Sequence, residues 1–89
     1  MNSEQIRKLR TRAHPLKPVV IVGQAGVTEP VLKEIDLALE HHELIKVRVN
    51  GEDRDSRKAL CAAIVEATGA ILVQHIGHVV SLYRKRPVG

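Results

Sequence analysis

Hydrophobic and polar positions change period along the chain, and each change marks an element. Ile6, Leu9 and Ala13 fall at i, i+3 and i+7, a thin apolar stripe that predicts a helix over about residues 4–13, capped by Ser3. His14-Pro15-Leu16-Lys17-Pro18 ends it, because each proline forces extended backbone on the residue before it. Val19-Val20-Ile21-Val22 is an unbroken β-branched run, the composition of a buried strand. It leads into Gly23-Gln24-Ala25-Gly26, after which Thr28-Glu29-Pro30 opens a helix to about His42. Thr28 suits the N-cap, and Pro30 falls in the first turn, where no N–H is missed. Val31, Leu32, Ile35, Ala38 and Leu39 share one face of this helix. From Glu43 to Asn50 the period drops to two: Ile45, Val47 and Val49 alternate with Lys46 and Arg48, as in a half-buried strand. Glu52-Asp53-Arg54-Asp55 is a polar loop into a further helix, with Asp55 or Ser56 as its cap. Ala59, Leu60, Ala63, Ile64 and Ala67 form its expected core face, and Gly69 stops it. Ala70 to Ile76 and Val79 to Tyr83 read as two strands joined tightly at Gly77-His78.

The order is helix, strand, helix, strand, helix, strand, strand. Strands separated by helices favour parallel pairing, and the short last connection makes the final strand antiparallel to its predecessor. The expected architecture is a two-layer α/β domain of order α-β-α-β-α-β-β with a four-stranded mixed sheet. A chain of 89 residues makes one domain, taken as residues 1–89. It holds one small core and no large substrate cavity. That core is aliphatic, since the chain has no Phe or Trp and a single Tyr.

Charge changes the picture from fold to partner. The net charge is +4, but its distribution says more than its sum. The segment 1–18 carries Arg7, Lys8, Arg10, Arg12 and Lys17 against Glu4, the body is mildly acidic, and Arg84-Lys85-Arg86 begins a basic tail over 84–89. Segregated positive charge is the footprint of a polyanionic partner. A membrane-surface helix needs a broader apolar face than the first helix offers, and no apolar run approaches the ~20 residues of a membrane span. The basic N-terminus lacks the apolar stretch of a secretory signal, and a lone cysteine, Cys61, fits a reducing compartment.

Candidate chemistry centres on the glycine loop. Glycines at 23 and 26 allow close approach and backbone angles that a Cβ would block. Backbone N–H groups of Gly23, Gln24, Ala25 and Gly26, with the positive end of the following helix, suit a phosphate; an ordinary strand-to-helix turn is the plainer reading. No Walker lysine follows the loop and no G-x-G-x-x-G occurs, so nucleotide hydrolysis and dinucleotide binding find no support. His75 and His78 straddle a turn without a Cys or carboxylate at ligand spacing, and His41-His42 closes a helix. Cys61 sits in a helix with no His near it in sequence, the position of a small core residue. Tyr83 alone cannot form the paired stacking platform of an RNA-recognition motif and is read as sheet packing. The chain is therefore expected to be no enzyme, with no cofactor, no metal and no small-molecule substrate.

Taken together, several segments resemble the CRM family of RNA-binding domains, and most closely its small stand-alone bacterial YhbY-type members. They are Ala13-His14-Pro15-Leu16-Lys17-Pro18-Val19-Val20, Gly23-Gln24-Ala25-Gly26, Leu39-Glu40-His41-His42-Glu43-Leu44-Ile45-Lys46-Val47, Glu52-Asp53-Arg54 and Ala67-Thr68-Gly69-Ala70. Ile76-Gly77 and the Val80-x-Leu82-Tyr83-Arg84 end complete the set. The resemblance covers nearly the whole chain. It implies a fold similar to the C-terminal domain of translation initiation factor three and a cytoplasmic protein, expected to be a monomer, that associates with precursors of the large ribosomal subunit. Relatives in plant organelles bind group II introns. Many loops in the family hold a basic or polar residue at both middle positions, whereas the second here is Ala25. A loop contact then rests on backbone N–H groups and Gln24.

Two functions follow. In the first, the chain is an RNA-binding protein of ribosome assembly, its contacts made by the glycine loop together with Arg7, Lys8, Arg10, Arg12, Lys17, Arg84 and Lys85 as one positive surface. In the second, it is a small adaptor whose basic ends meet an acidic protein. A KH domain is less suited, since there Gly-x-x-Gly joins two helices and here it follows a strand.

Overall fold

The computed structural model describes residues 2–86. Its elements are α1 (Ser3–Ala13), β1 (Pro18–Val22), α2 (Glu29–His42), β2 (Leu44–Val49), α3 (Arg54–Thr68), β3 (Ile71–Ile76) and β4 (Val79–Tyr83). All the expected elements are present in the expected order. The strands form one sheet in the order β1-β2-β4-β3. β1 and β2 pair in parallel, and β4 runs antiparallel to both β2 and β3. β4 thus sits between β2 and β3, which the connecting helix leaves unpaired with each other.

Both faces of the sheet are used. Val20, Val22, Ile45, Val47, Val49, Val80 and Leu82 point to one face and bury Ile35 and Leu39 of α2 with Cys61 and Ile64 of α3. This is the two-layer body that the sequence predicts. On the other face, Leu44, Val73 and the half-buried Tyr83 receive Leu9 and Ala13 of α1. Tyr83 is sheet packing, as expected. The thin stripe of α1 gives it a small footprint, and Arg10 Nε adds a bond to the Val73 carbonyl at 3.2 Å.

The caps differ from the sequence reading. Asn2, not Ser3, caps α1: its side-chain oxygen accepts from Gln5 N at 2.9 Å while its own N–H donates to Gln5 Oε1 at 3.0 Å. This reciprocal pair satisfies two orphan donors, which Ser3 followed by Ile6 three residues on could not do. Asp53, not Asp55 or Ser56, caps α3, accepting from Ser56 N at 2.7 Å. Thr28 caps α2 as expected, through Val31 N at 3.4 Å.

The face of α3 is also rotated from expectation. Cys61, Ile64 and Thr68 are buried, Leu60 and Val65 pack beside them, and Ala59, Ala63 and Ala67 face solvent. Alanine buries little area, so the larger side chains decide the rotation. Thr68 tolerates burial because its hydroxyl donates to the Ile64 carbonyl at 2.7 Å and accepts from Ala70 N at 3.3 Å. Glu43, read above as the first strand residue, instead closes α2 at φ +62°. Its N–H donates to the Leu39 carbonyl at 2.8 Å and its own carbonyl accepts from Arg84 N at 2.9 Å, which fixes that unfavourable backbone between helix and strand.

Candidate functional site

The strand directions sort the loops to two ends of the sheet. At one end lie the glycine loop after β1, the 50–53 loop after β2 and the Gly77-His78 turn. They are stitched by Asn50 N to the Val22 carbonyl at 3.0 Å and Val49 N to the His78 carbonyl at 2.6 Å. At the other end lie Lys17, Glu43, Gly69 and Arg84-Lys85-Arg86. Five residues of β1 separate Lys17 from Gly23, roughly 16 Å of extended chain. The glycine loop and the expected cations Lys17, Arg84 and Lys85 therefore lie at opposite ends of the sheet.

The glycine loop closes as a turn, with Gly26 N donating to the Gly23 carbonyl at 3.0 Å and Gly26 at φ +78°. Gln24 and Ala25 are exposed at its tip, and their amides have no intramolecular partner among the described residues. Pro30 has no N–H and Val31 N is taken by Thr28, so the helix N-terminus adds fewer donors than its position suggests. The loop borders a hollow of about 570 Å³ shared with Asn50, Glu52, Ser56 and Leu60. Glu52 brings a negative charge to that hollow.

Of the predicted cations, Arg7, Lys8, Arg10, Arg12 and Lys17 are exposed on or just after α1. Lys8 lies 4.0 Å from Glu4, and Arg10 is also the anchor to Val73. Arg84 stands apart from them. Its guanidinium meets the Asp36 carboxylate and donates to the Thr68 carbonyl at 2.8 Å and the Asp36 carbonyl at 3.1 Å, so the fold consumes it. Arg86 Nε lies 3.8 Å from one Glu43 carboxylate oxygen and its backbone N–H donates to the other at 2.9 Å, which leaves Lys85 as the exposed, unpaired cation of the described tail. The expected tail extends to 89, and residues 87–89 lie outside the described residues.

What joins the two ends is the part of the sheet that α1 leaves open. Two rows of side chains cross all four strands there. Pro18, Lys46, Ser81 and Gln74 form one row; Ile21, Arg48, Val79 and Ile76 form the next. Ile21 and Ile76 are 60% and 65% exposed, uncovered aliphatics on the two edge strands at either end of the row that holds Arg48. Lys46 Nζ donates to the His14 carbonyl at 3.3 Å, and Arg48 Nε to Asn50 Oδ1 at 3.1 Å. A groove of about 520 Å³ holds Arg12, Lys17, His42 and Lys46, and a smaller one of about 330 Å³ continues across the open face past Lys46 to Gln74 and Ile76. Basic side chains thus run from Arg12 and Lys17 over Lys46 and Arg48 to Asn50 beside the glycine loop. Lys46 and Arg48 were missing from the sequence-based site. Their signal was the alternation of β2 itself, which put both on the face opposite the core.

The acidic residues lie elsewhere. Glu4 is the one carboxylate on α1 or the open face; the other nine of the ten sit on α2, α3 and the loops beside them. The remaining candidates are occupied by the fold. His75 Nε2 donates to the Gly77 carbonyl at 2.9 Å, leaving Nδ1 to face the Cys61 sulfur at 3.9 Å. Burial pushes the Cys61 thiol up from its ordinary value, the opposite of nucleophile activation. His78 Nδ1 lies 3.3 Å from the Val49 carbonyl. Among the described residues no three His, Cys, Asp or Glu side chains are grouped to hold a metal ion.

Comparison with known proteins finds relatives over nearly the whole chain. The family model for the CRS1 / YhbY (CRM) domain matches residues 1–84. A Haemophilus influenzae protein named RNA-binding protein is 50% identical over 84 residues, covering 94% of this chain and 85% of its own. The Zea mays CRM-domain containing factor CFM3, chloroplastic/mitochondrial, is 30% identical over 80 residues, 90% of this chain but 10% of that much longer protein. A Staphylococcus aureus solution structure, described as a candidate RNA-binding protein, superposes with a TM-score of 0.87 at 39% identity, over 99% of this chain and 92% of that one.

Proposed function

The chain belongs to the CRS1/YhbY (CRM) domain family, and on that premise we propose that it binds RNA, with the open sheet face and α1 as the contact surface. One observation carries this reading: basic side chains gather on that face while all but one of the carboxylates lie off it. Arg12, Lys17, Lys46 and Arg48 supply phosphate contacts, and Ile21, Ile76 and Val79 offer an apolar floor on which bases can rest. The glycine loop caps the path with the amides of Gln24 and Ala25. No step of this function needs catalysis or a bound metal.

The RNA class follows from the likeness to stand-alone bacterial relatives: precursors of the large ribosomal subunit, engaged during assembly in the cytoplasm by a monomer. Ultraviolet crosslinking in cells, followed by sequencing of the attached RNA, tests it. Enrichment of large-subunit precursor RNA, reduced in a Lys46→Glu/Arg48→Glu chain, is the expected result. Crosslinks spread over messenger and transfer RNA in proportion to abundance would overturn the assembly role.

A further inference from the structure

A wide cleft lies on the other side of the sheet, away from the basic path. It occupies about 810 Å³ between α3 and the outer strand β3. Arg54, Lys58, Cys61, Ala62 and Val65 line it at helical spacing, a single stripe of α3 that is cationic at its start and apolar beyond. Leu72, 41% exposed, stands across from them on β3. Arg57 enters from the side: its Nη1 donates to the Gly51 carbonyl at 3.3 Å, and its buried Nε has no acceptor. Arg54, Arg57 and Lys58, all on α3, bring the positive charge here. Nothing in the proposed RNA surface uses these groups.

We propose that this cleft docks an acidic, aliphatic segment of a partner protein. A partner carboxylate would meet Arg54 and Lys58, while a leucine-like side chain fills the space between Val65, Ala62 and Leu72. Charge decides against RNA as the occupant. The cations form a short, isolated cluster at one end, and Asp53, Asp55 and Glu66 lie on the same helix or at its cap, where a running phosphodiester chain would meet them. A peptide brings its charge only where it is needed. Because the sheet separates this cleft from the open face, RNA and protein can be held at once. The inference does not rest on the RNA reading.

Amide correlation spectra of the full chain test it, with a short synthetic peptide alternating glutamate and leucine as the probe. An equal-length peptide with lysine in place of glutamate, and oligouridylate, are the comparisons. Saturable shifts at Lys58, Ala62, Val65 and Leu72 with the glutamate peptide alone are expected. Arg54→Glu with Lys58→Glu should weaken that binding about tenfold or more, from like charge placed at the contact. Ala62→Trp, filling the slot from an exposed position, should weaken it without a change in charge. Both variants should keep the dispersed sheet resonances and bind RNA as the parent chain does. Equal binding of the lysine peptide, shifts at Lys46 and Arg48 instead, oligouridylate taking the cleft, or no shifts at all would each overturn the proposal.

Discussion

Arg84 and Asp36, 48 residues apart, are held together by a forked contact in which one guanidinium meets both the carboxylate and the backbone carbonyl of the same residue. The same guanidinium takes the Thr68 carbonyl, so the end of β4 is fastened to α2 and to the last turn of α3. Lysine has no such fork. Arg84→Ala and Arg84→Lys should each lower stability by about 1–3 kcal/mol, because carbonyls lose a charged donor at a half-buried site. Asp36→Ala should cost less, since its carboxylate side is half exposed. Equilibrium urea unfolding of the three variants checks the order, and RNA affinity should fall no further than stability does.

The basic path makes a salt-dependent prediction. Lys46→Ala and Arg48→Ala should each flatten the log-affinity against log-salt line by about 0.7–0.9, the slope of one lost phosphate contact. Arg12→Ala should act similarly. Arg10→Ala is a poorer probe, because it also removes the bond to Val73. Lys33→Ala, on the acidic side of the molecule, should leave the slope unchanged. Fluorescence anisotropy over a salt series reads all four.

How much of this was legible in the sequence depended on how each residue announces itself. Periodicity placed every element, because Val31, Ile35 and Leu39 or Ile45, Val47 and Val49 have only one way to share a core. It misjudged α3, where four alanines fit several faces and Thr68 hides its polarity in a local bond. The caps were missed by one to three residues, since Ser3, Asp55 and Ser56 are all good caps in isolation and only the reciprocal Asn2–Gln5 pair and the Asp53 bond separate them. For the site, charge segregation along the chain pointed to α1, counted Arg84 as a free cation and passed over Lys46. Arg84 is consumed by partners 16 and 48 residues away, and Lys46 joins the surface through strand pairing; neither relationship is written in local sequence.

Glycine positions separate strain from function. A Cβ at Gly51 would lie 2.8 Å from Arg57 Cγ and 3.0 Å from its backbone N. Gly51→Ala should therefore destabilise by about 1–3 kcal/mol, the usual cost of overpacking. Gly23 has open space around its Cβ position and no positive φ, so Gly23→Ala should leave the melting temperature nearly unchanged. Thermal unfolding by circular dichroism distinguishes them.

The α3 cap predicts a pH effect. The Ser56 N–H bonded to Asp53 holds its carboxyl below the ordinary range. A depressed folded value means the cap stabilises fully above the unfolded carboxylate range, near pH ~4, and that this contribution is lost as pH falls through the folded value. Asp53→Ala should lower the melting temperature at neutral pH and flatten its acid limb. Asp53→Asn should retain most of the cap and converge with the parent chain in acid. A melting series from neutral to acid pH that shows equal acid limbs for all three would remove Asp53 from the account.

The glycine loop gives the sharpest test of where RNA sits. Two exposed amides, Gln24 and Ala25, are left unbonded at its tip, and the loop stands at the end of the path that begins at Arg12 and Lys17. Glu52 already places one negative charge in the adjoining hollow. Gln24→Asp with Ala25→Asp adds two more beside any bound phosphate, and RNA affinity should fall roughly tenfold, about 1.4 kcal/mol. Stability should change little, because both side chains face solvent. Gln24→Ala isolates the side chain: if backbone amides make the contact, it should bind nearly as the parent does. Gly26→Ala cannot serve, since φ +78° strains any other residue there and confounds affinity with folding. Should the double aspartate chain remain folded and bind RNA as tightly as the parent at every salt concentration, the loop is only a turn. The contact then belongs to α1, Lys46 and Arg48 alone, whose own substitutions would still flatten the salt dependence.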